Sequence, residues 1–245
     1  MLRARSNLDA RVLARAQTVL RRKRDGRYIA AALPEGIMGL LPAWTRQPGV
    51  DEALDRLETI EARLPRIEGV LPLDHLSARL DLLGLDAQDY ADASGLMLVA
   101  EPATLSLAGL DRFRRPLWMT AEAGRAWRAM QRMAQQAGIA LDSISGYRSH
   151  DYQLGIFERK RARGERVAQI LTVNAAPGFS EHHSGQALDI GTPGEPPAEE
   201  RFECTPAFAW LRDHATDFGF HLSYPRDNPH GIVYEPWHWR YRAAS

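Results

Sequence analysis

Ser180-Glu181-His182-His183-Ser184-Gly185-Gln186-Ala187-Leu188-Asp189-Ile190 is the stretch on which the reading of this chain turns. A helix would set His182 and Asp189 on one face, but Pro177 and Gly178 before the stretch and Gly185 within it argue against one. The pattern predicts a loop that delivers the histidines, a turn at Gly185 and a strand from Ala187. In that strand Leu188 and Ile190 face a core and Asp189 points the other way, into a cleft. His182 and His183 are neighbours, so an extended chain sends their rings to opposite sides. One of the two is then a candidate ligand and the other is structural.

The end of the chain repeats this logic. In Glu235-Pro236-Trp237-His238-Trp239-Arg240-Tyr241, three aromatic residues alternate with His238 and Arg240. A strand here buries the rings on one face and aims an imidazole at the other. Pro236 biases Glu235 toward extended geometry. A third polar segment, Ser145-Gly146-Tyr147-Arg148-Ser149, precedes both. Two imidazoles and one carboxylate make a three-ligand set suited to zinc, with a fourth position open for chemistry. Glu235, three residues before His238, is the candidate general base. A regular strand would put these two on opposite faces, so the assignment needs Pro236 to break the alternation. No H-E-x-x-H helix is present, so a metal here follows another plan.

Around these segments the sequence reads as an α+β domain over residues 95–245, following a mainly helical region over residues 1–94. Helical spacing is seen in Leu8, Val12, Leu13, Ala16, Val19 and Leu20, again from Val50 to Leu64, and from Leu73 to Leu83. Past Gly95, short strands are expected at Leu96–Val99, Thr104–Leu107, Leu141–Ser145, Ala187–Ile190 and Trp237–Tyr241. Helices are expected at Ala121–Gly138, Tyr152–Arg163 and Pro206–Gly219. Only His75 of the eight histidines precedes residue 149, which concentrates metal-competent side chains in the second half.

Composition narrows the function classes. Basic and acidic residues both number 31 in 245 residues, so no global field exists to hold nucleic acid. The basic excess of residues 1–30 is read as a solvated helix face. A single cysteine, Cys204, excludes an internal disulfide framework and a multi-thiolate metal site. The most apolar early stretch, Tyr28 to Trp44, is interrupted by Pro34, Glu35 and Pro42. Neither a transmembrane segment nor an export signal is read, and the expected location is the cytoplasm, with periplasmic or extracellular action left open.

Together and in this order, the three segments resemble those of VanY-type D-alanyl-D-alanine carboxypeptidases. These belong to a zinc-peptidase superfamily with VanX-type dipeptidases, L,D-carboxypeptidases and phage cell-wall peptidases. The resemblance covers roughly Leu107 to Tyr241. It implies a small mixed or antiparallel sheet with flanking helices around a cleft holding one zinc ion. His182, Asp189 and His238 would bind the metal and Glu235 would be the catalytic base. Arg148 would serve the substrate or transition state, Gln153 and Ser180 would help recognise a terminal D-alanine, and Trp237 would line that pocket. A guanidinium suits this task, since it can hold a terminal carboxylate through two hydrogen bonds. His183 and Ser184 stand where the family more often has Gln and Thr, a departure that bears on peptide specificity rather than on zinc. The implied substrate is a peptidoglycan stem peptide, a precursor or a muropeptide. The competing readings are an endopeptidase cutting an L-Ala-D-Glu bond and a zinc-containing binding module without turnover. The presence of both Glu235 and Arg148 argues against the last.

Overall fold

A computed structural model describes residues 7–16, 18–22, 24–33, 36–57, 73 and 76–243. The chain begins with helix α1 (Asn7–Arg15) and strands β1 (Thr18–Arg21), β2 (Tyr28–Leu33) and β3 (Gly36–Gly39), followed by helices α2 (Val50–Leu57), α3 (Leu76–Asp81) and α4 (Ala87–Ser94). The second half comprises β4 (Ser106–Leu110), β5 (Pro116–Met119), α5 (Ala121–Gln136), β6 (Asp142–Ser145), α6 (His150–Ala162), α7 (Val167–Leu171), β7 (Ala187–Gly191), α8 (Pro206–His214), β8 (Phe220–Leu222) and β9 (His238–Tyr241). The result is a mixed α+β fold with small antiparallel sheets and flanking helices. Among the described residues no helix is long and apolar enough to cross a membrane.

The sheet that carries the site has the order β6-β7-β9-β8, with every neighbouring pair antiparallel. Its core face presents Leu188, Ile190, Phe220 and Trp239 to a cluster completed by Trp127, Met130 and Ala134 of α5 and Leu211 of α8. Helix α5 forms because its apolar residues Ala123, Trp127, Met130 and Ala134 recur at helical spacing and are all buried. Thr120 caps its start, accepting a hydrogen bond from the Ala123 backbone N–H at 3.4 Å. Ser149 does the same for α6, accepting from the Tyr152 N–H at 3.0 Å, and so ends the Arg148 loop with a defined direction.

The first half departs from its sequence pattern in three places. Residues 18–39 form a three-stranded antiparallel sheet rather than helix, and Val19 and Leu20 lie in β1 rather than on α1. Tertiary pairing overrides the helical spacing at Val19 and Leu20, and it buries Ile29, Ala30, Ala31 and Leu33 of β2. Leu96–Val99 is irregular rather than a strand, although the Val99 N–H still donates to the Gly178 carbonyl at 2.7 Å. The helix expected to run to Leu64 is seen as α2, and residues 58–64 lie outside the described residues.

Helices α3 and α4 share their cores with the second half. Leu76 and Leu80 pack in one cluster with Leu96, Ala175, Ala176, Phe179, Tyr224 and Ile232. Leu83 packs with Leu154, Phe157 and Ile170. Helix α1 docks behind the Arg148 loop. The Asn7 amide donates to the Tyr147 carbonyl at 2.7 Å, and the Arg11 guanidinium donates to the carbonyls of Pro102 and Ala103 at 3.2 and 2.9 Å. Arg11 is therefore a docking residue, not part of a solvated face.

Candidate metal centre and cleft

The register of β7 on β9 sets Asp189 directly opposite His238, so both side chains leave the sheet on the face away from the core. His182 arrives from the short 3-10 turn Glu181–Ser184 that precedes β7. Gly185 closes that turn at φ +67°, a conformation that favours glycine. A Cβ there would meet the Leu105 side chain at 2.6 Å and the Thr120 backbone nitrogen at 3.3 Å. The Gly185 carbonyl also accepts from the Thr120 N–H at 2.9 Å, tying the turn to the start of α5. The loop, turn and strand read from the sequence are thus the means by which the fold brings His182 to Asp189.

His182, Asp189 and His238 each offer a ligand atom, and these atoms lie within 4.8 Å of one another. All three residues are buried. The His182 Nδ1–H donates to the Gly146 carbonyl at 2.7 Å, which leaves Nε2 as the free lone pair, 3.3 Å from Asp189 Oδ1. That Nε2 is buried and makes no hydrogen bond to any described residue. Burial and the Arg148 charge push its pKa down to about 4, so the ring is neutral, the form that binds metal. His238 Nδ1 lies 3.1 Å from the same Asp189 oxygen, and its Nε2 lies 2.9 Å from Glu181 Oε2. Burial opposes protonation of His238, but hydrogen bonds to Asp189 and Glu181 push its pKa up to about 10 in the absence of metal. Burial alone would raise the Asp189 carboxyl, yet the charges and hydrogen bonds of both histidines hold it well below the usual carboxylate range. An orphaned nitrogen, an ionised carboxylate and a second imidazole on one spot form a cluster capable of coordinating a metal ion.

His183 turns the other way. Its Nε2 accepts from the Gly178 N–H at 3.1 Å, so its Nδ1 carries the proton and donates to the Arg148 carbonyl at 2.6 Å. The choice between the adjacent histidines is resolved by these partners: His182 faces the cluster and His183 supports the Arg148 loop.

A cleft of about 260 Å³ opens onto the cluster. Arg148, Ser180, Trp237 and Glu235 line it with the three ligand candidates. Residues Glu235 to Trp237 form a turn, with the His238 N–H donating to the Glu235 carbonyl at 3.1 Å, and β9 starts only at His238. The strand alternation is broken there, and Glu235 Oε2 comes to 3.8 Å from His238 Nδ1. Burial raises the Glu235 carboxyl to about 7, with the His238 charge opposing the shift. The Arg148 Nε is buried without a hydrogen-bond partner among the described residues. Gln153 is the one expected site residue outside the lining. It sits fully buried, donating to the Ala175 carbonyl at 2.8 Å, and reaches the cleft only through that wall residue.

Sequence reasoning missed three residues. Glu181 holds the far nitrogen of His238 and accepts from Arg240 Nη1 at 3.0 Å. Tyr224 lines the cleft with its ring 4.9 Å from that of His238. Glu101 is buried behind the Arg148 loop, accepting from the Tyr147 hydroxyl and, at 3.0 Å, from the His150 N–H. His150 is itself buried, its ring 4.4 Å from that of His183. Only Glu181 left a trace in the sequence, as an acid beside a ligand with His238 and Arg240 alternating on one strand face.

Residues 116–244 match the VanY family, described as D-alanyl-D-alanine carboxypeptidase. The protein YodJ of Bacillus subtilis (strain 168) is 39% identical over 125 residues, covering 49% of this chain and 45% of YodJ. A D-alanyl-D-alanine carboxypeptidase of Enterococcus faecium is 33% identical over 128 residues, covering 51% of this chain and 38% of that protein. The chain thus spans less than half the length of these curated relatives. Among solved structures, the LdcB LD-carboxypeptidase matches with a TM-score of 0.51 at 31% identity, over 58% of this chain and 69% of that one.

Proposed function

The chain belongs to the VanY family of D-alanyl-D-alanine carboxypeptidases, and from that premise we propose that it is a zinc-dependent carboxypeptidase acting on peptidoglycan-type peptides. Its reaction would be hydrolysis of the bond to a C-terminal D-amino acid, D-alanine in the first instance. The observation that carries the reading is the convergence of His182 Nε2, Asp189 and His238 within 4.8 Å, on a cleft that also contains Glu235 and Arg148.

His182, Asp189 and His238 would hold one zinc ion. When bound, such an ion supplies Lewis acidity toward a peptide carbonyl and lowers the pKa of water to about 7. Glu235 takes the proton of the attacking water on its carboxylate and returns it to the leaving amine. A carboxyl raised by burial to about 7 suits both steps near neutral pH. Arg148 receives the terminal carboxylate of the peptide, to which a buried and unsatisfied Nε–H is complementary. Ser180 and Trp237 orient the terminal residue from the cleft wall. Gln153 fixes that wall at Ala175, one layer behind the substrate.

Mass spectrometry of stem peptides incubated with the zinc-loaded protein tests the reading. Release of D-alanine from a peptide ending in D-Ala-D-Ala is the expected result. Release only from a tetrapeptide ending in a single D-alanine would move the assignment to L,D-cleavage, the activity for which LdcB is named. Cleavage of an internal L-Ala-D-Glu bond would make it an endopeptidase, and no cleavage at all would overturn the enzyme reading.

A further inference from the structure

Glu181 stands immediately before His182 in the chain, yet its carboxylate reaches across to β9. There it meets two side chains from one face of the strand, since His238 and Arg240 are two residues apart. Oε2 lies 2.9 Å from His238 Nε2, and Oε1 accepts from Arg240 Nη1 at 3.0 Å. The contacts use both oxygens and leave the carboxylate little freedom to rotate. Glu181 falls outside the group of mutually close ligand atoms, which comprises only His182, Asp189 and His238. It contacts His238 from outside that group.

An imidazole presents a lone pair on one nitrogen only if the other carries the proton, and the partner of that other nitrogen decides which tautomer persists. For His182 the Gly146 carbonyl makes the decision, holding Nδ1–H and freeing Nε2. For His238 the geometry runs the other way round, with Nδ1 toward Asp189 and Nε2 toward Glu181. We infer that Glu181 is the positioning residue for His238, accepting the Nε2–H and so committing Nδ1 to the metal. Its guanidinium partner Arg240 fixes the carboxylate in place. One short turn thus contributes a ligand through His182 and orients a second, on another strand, through the residue before it. The inference rests on the metal reading given above and adds a role for Glu181 that the ligand set itself does not contain.

The test measures zinc affinity of the metal-stripped full chain by competition with a chromophoric chelator, beside nitrogen-15 NMR of the histidine rings in the zinc-loaded protein. In the parent protein His238 should show a ligated Nδ1 and a protonated Nε2. Glu181→Ala should weaken zinc binding by about 10–100-fold, the range typical of lost partners to metal-bound histidines. Glu181→Gln should lie between the two, because its amide oxygen still accepts from Nε2–H while the charge is gone. Ligation of His238 through Nε2 in the parent, a result that needs no variant, would overturn the inference and leave the metal site standing. So would equal zinc affinity in the parent and in Glu181→Ala. Failure of the parent protein to bind zinc would instead overturn the metal reading together with the role of Glu181.

Discussion

Asp189 and His238 face each other across β7 and β9, and their Oδ1 and Nδ1 atoms come within 3.1 Å. Antiparallel pairing brings directly opposed side chains close together, so two members of the candidate metal cluster are set by sheet register. A slip of one residue in either strand would turn that strand's member of the pair into the core and leave the other without its neighbour. Occupancy should therefore depend on these residues and little on their neighbours. His182→Ala, Asp189→Ala and His238→Ala are each expected to purify with strongly reduced zinc by metal analysis. His183→Ala should keep its zinc, since that ring donates to the Arg148 carbonyl. Equal zinc in the His182 and parent proteins would remove the assignment.

Zinc uptake should release protons. Without metal, His238 keeps its proton up to about pH 10 because Asp189 and Glu181 outweigh the effect of burial. At pH 7 to 8 the ion must displace that proton, so roughly one is released per zinc bound. Apparent affinity then rises with pH across this range, because the metal competes with protons for His238 and their concentration falls as pH rises. Calorimetric titration in buffers of different ionisation enthalpy counts the protons. Heat independent of the buffer would contradict the proposed protonation of His238.

Recognition of the terminal carboxylate by Arg148 makes two expectations. Amidating the C-terminus of the peptide should depress kcat/KM by at least tenfold. Arg148→Lys should be similarly poor, because a point charge does not reproduce the planar pair of donors. Equal cleavage of free and amidated peptides would favour an internal bond as the target.

Leu80 tests how far the core extends beyond the family-matched span, which begins at residue 116. This residue is buried against Leu76, Phe179 and Tyr224. Leu80→Ala should cost about 2–5 kcal/mol in urea denaturation of the full chain, as buried leucine truncations do. A change under about 0.5 kcal/mol, the range of surface substitutions, would mean that α3 is not integral to that core.

The parts legible in the sequence are those written in local pattern. Alternation in Ala187–Ile190 and Trp237–Tyr241 reflects which side chains meet the apolar core and which the polar cleft, and helical spacing in Ala121–Gly138 reflects the buried face of α5. The pattern carried the site strands β7 and β9 and helix α5 almost to the residue. Strand β2 was illegible because its centre, Ala30-Ala31-Ala32, favours helix in isolation and becomes a strand only through pairing on both sides. Glu101 is illegible because its Tyr147 partner lies 46 positions away and no local spacing announces such a contact, whereas Glu181, 57 positions from His238, leaves only the trace of an acid beside His182. The break at Pro236 was foreseeable from the proline but not its extent: a full turn that returns Glu235 to within 3.8 Å of His238.

If a metal held by His182, Asp189 and His238 works with Glu235 as the base, Glu235→Gln separates the two roles most directly. Glutamine keeps the size and polarity of the buried side chain but cannot accept the proton of water. Zinc content should be unchanged and kcat on a D-Ala-D-Ala peptide should fall by about 10²–10⁴-fold or more. A near-parental kcat with zinc still bound would contradict this and assign the proton to another group.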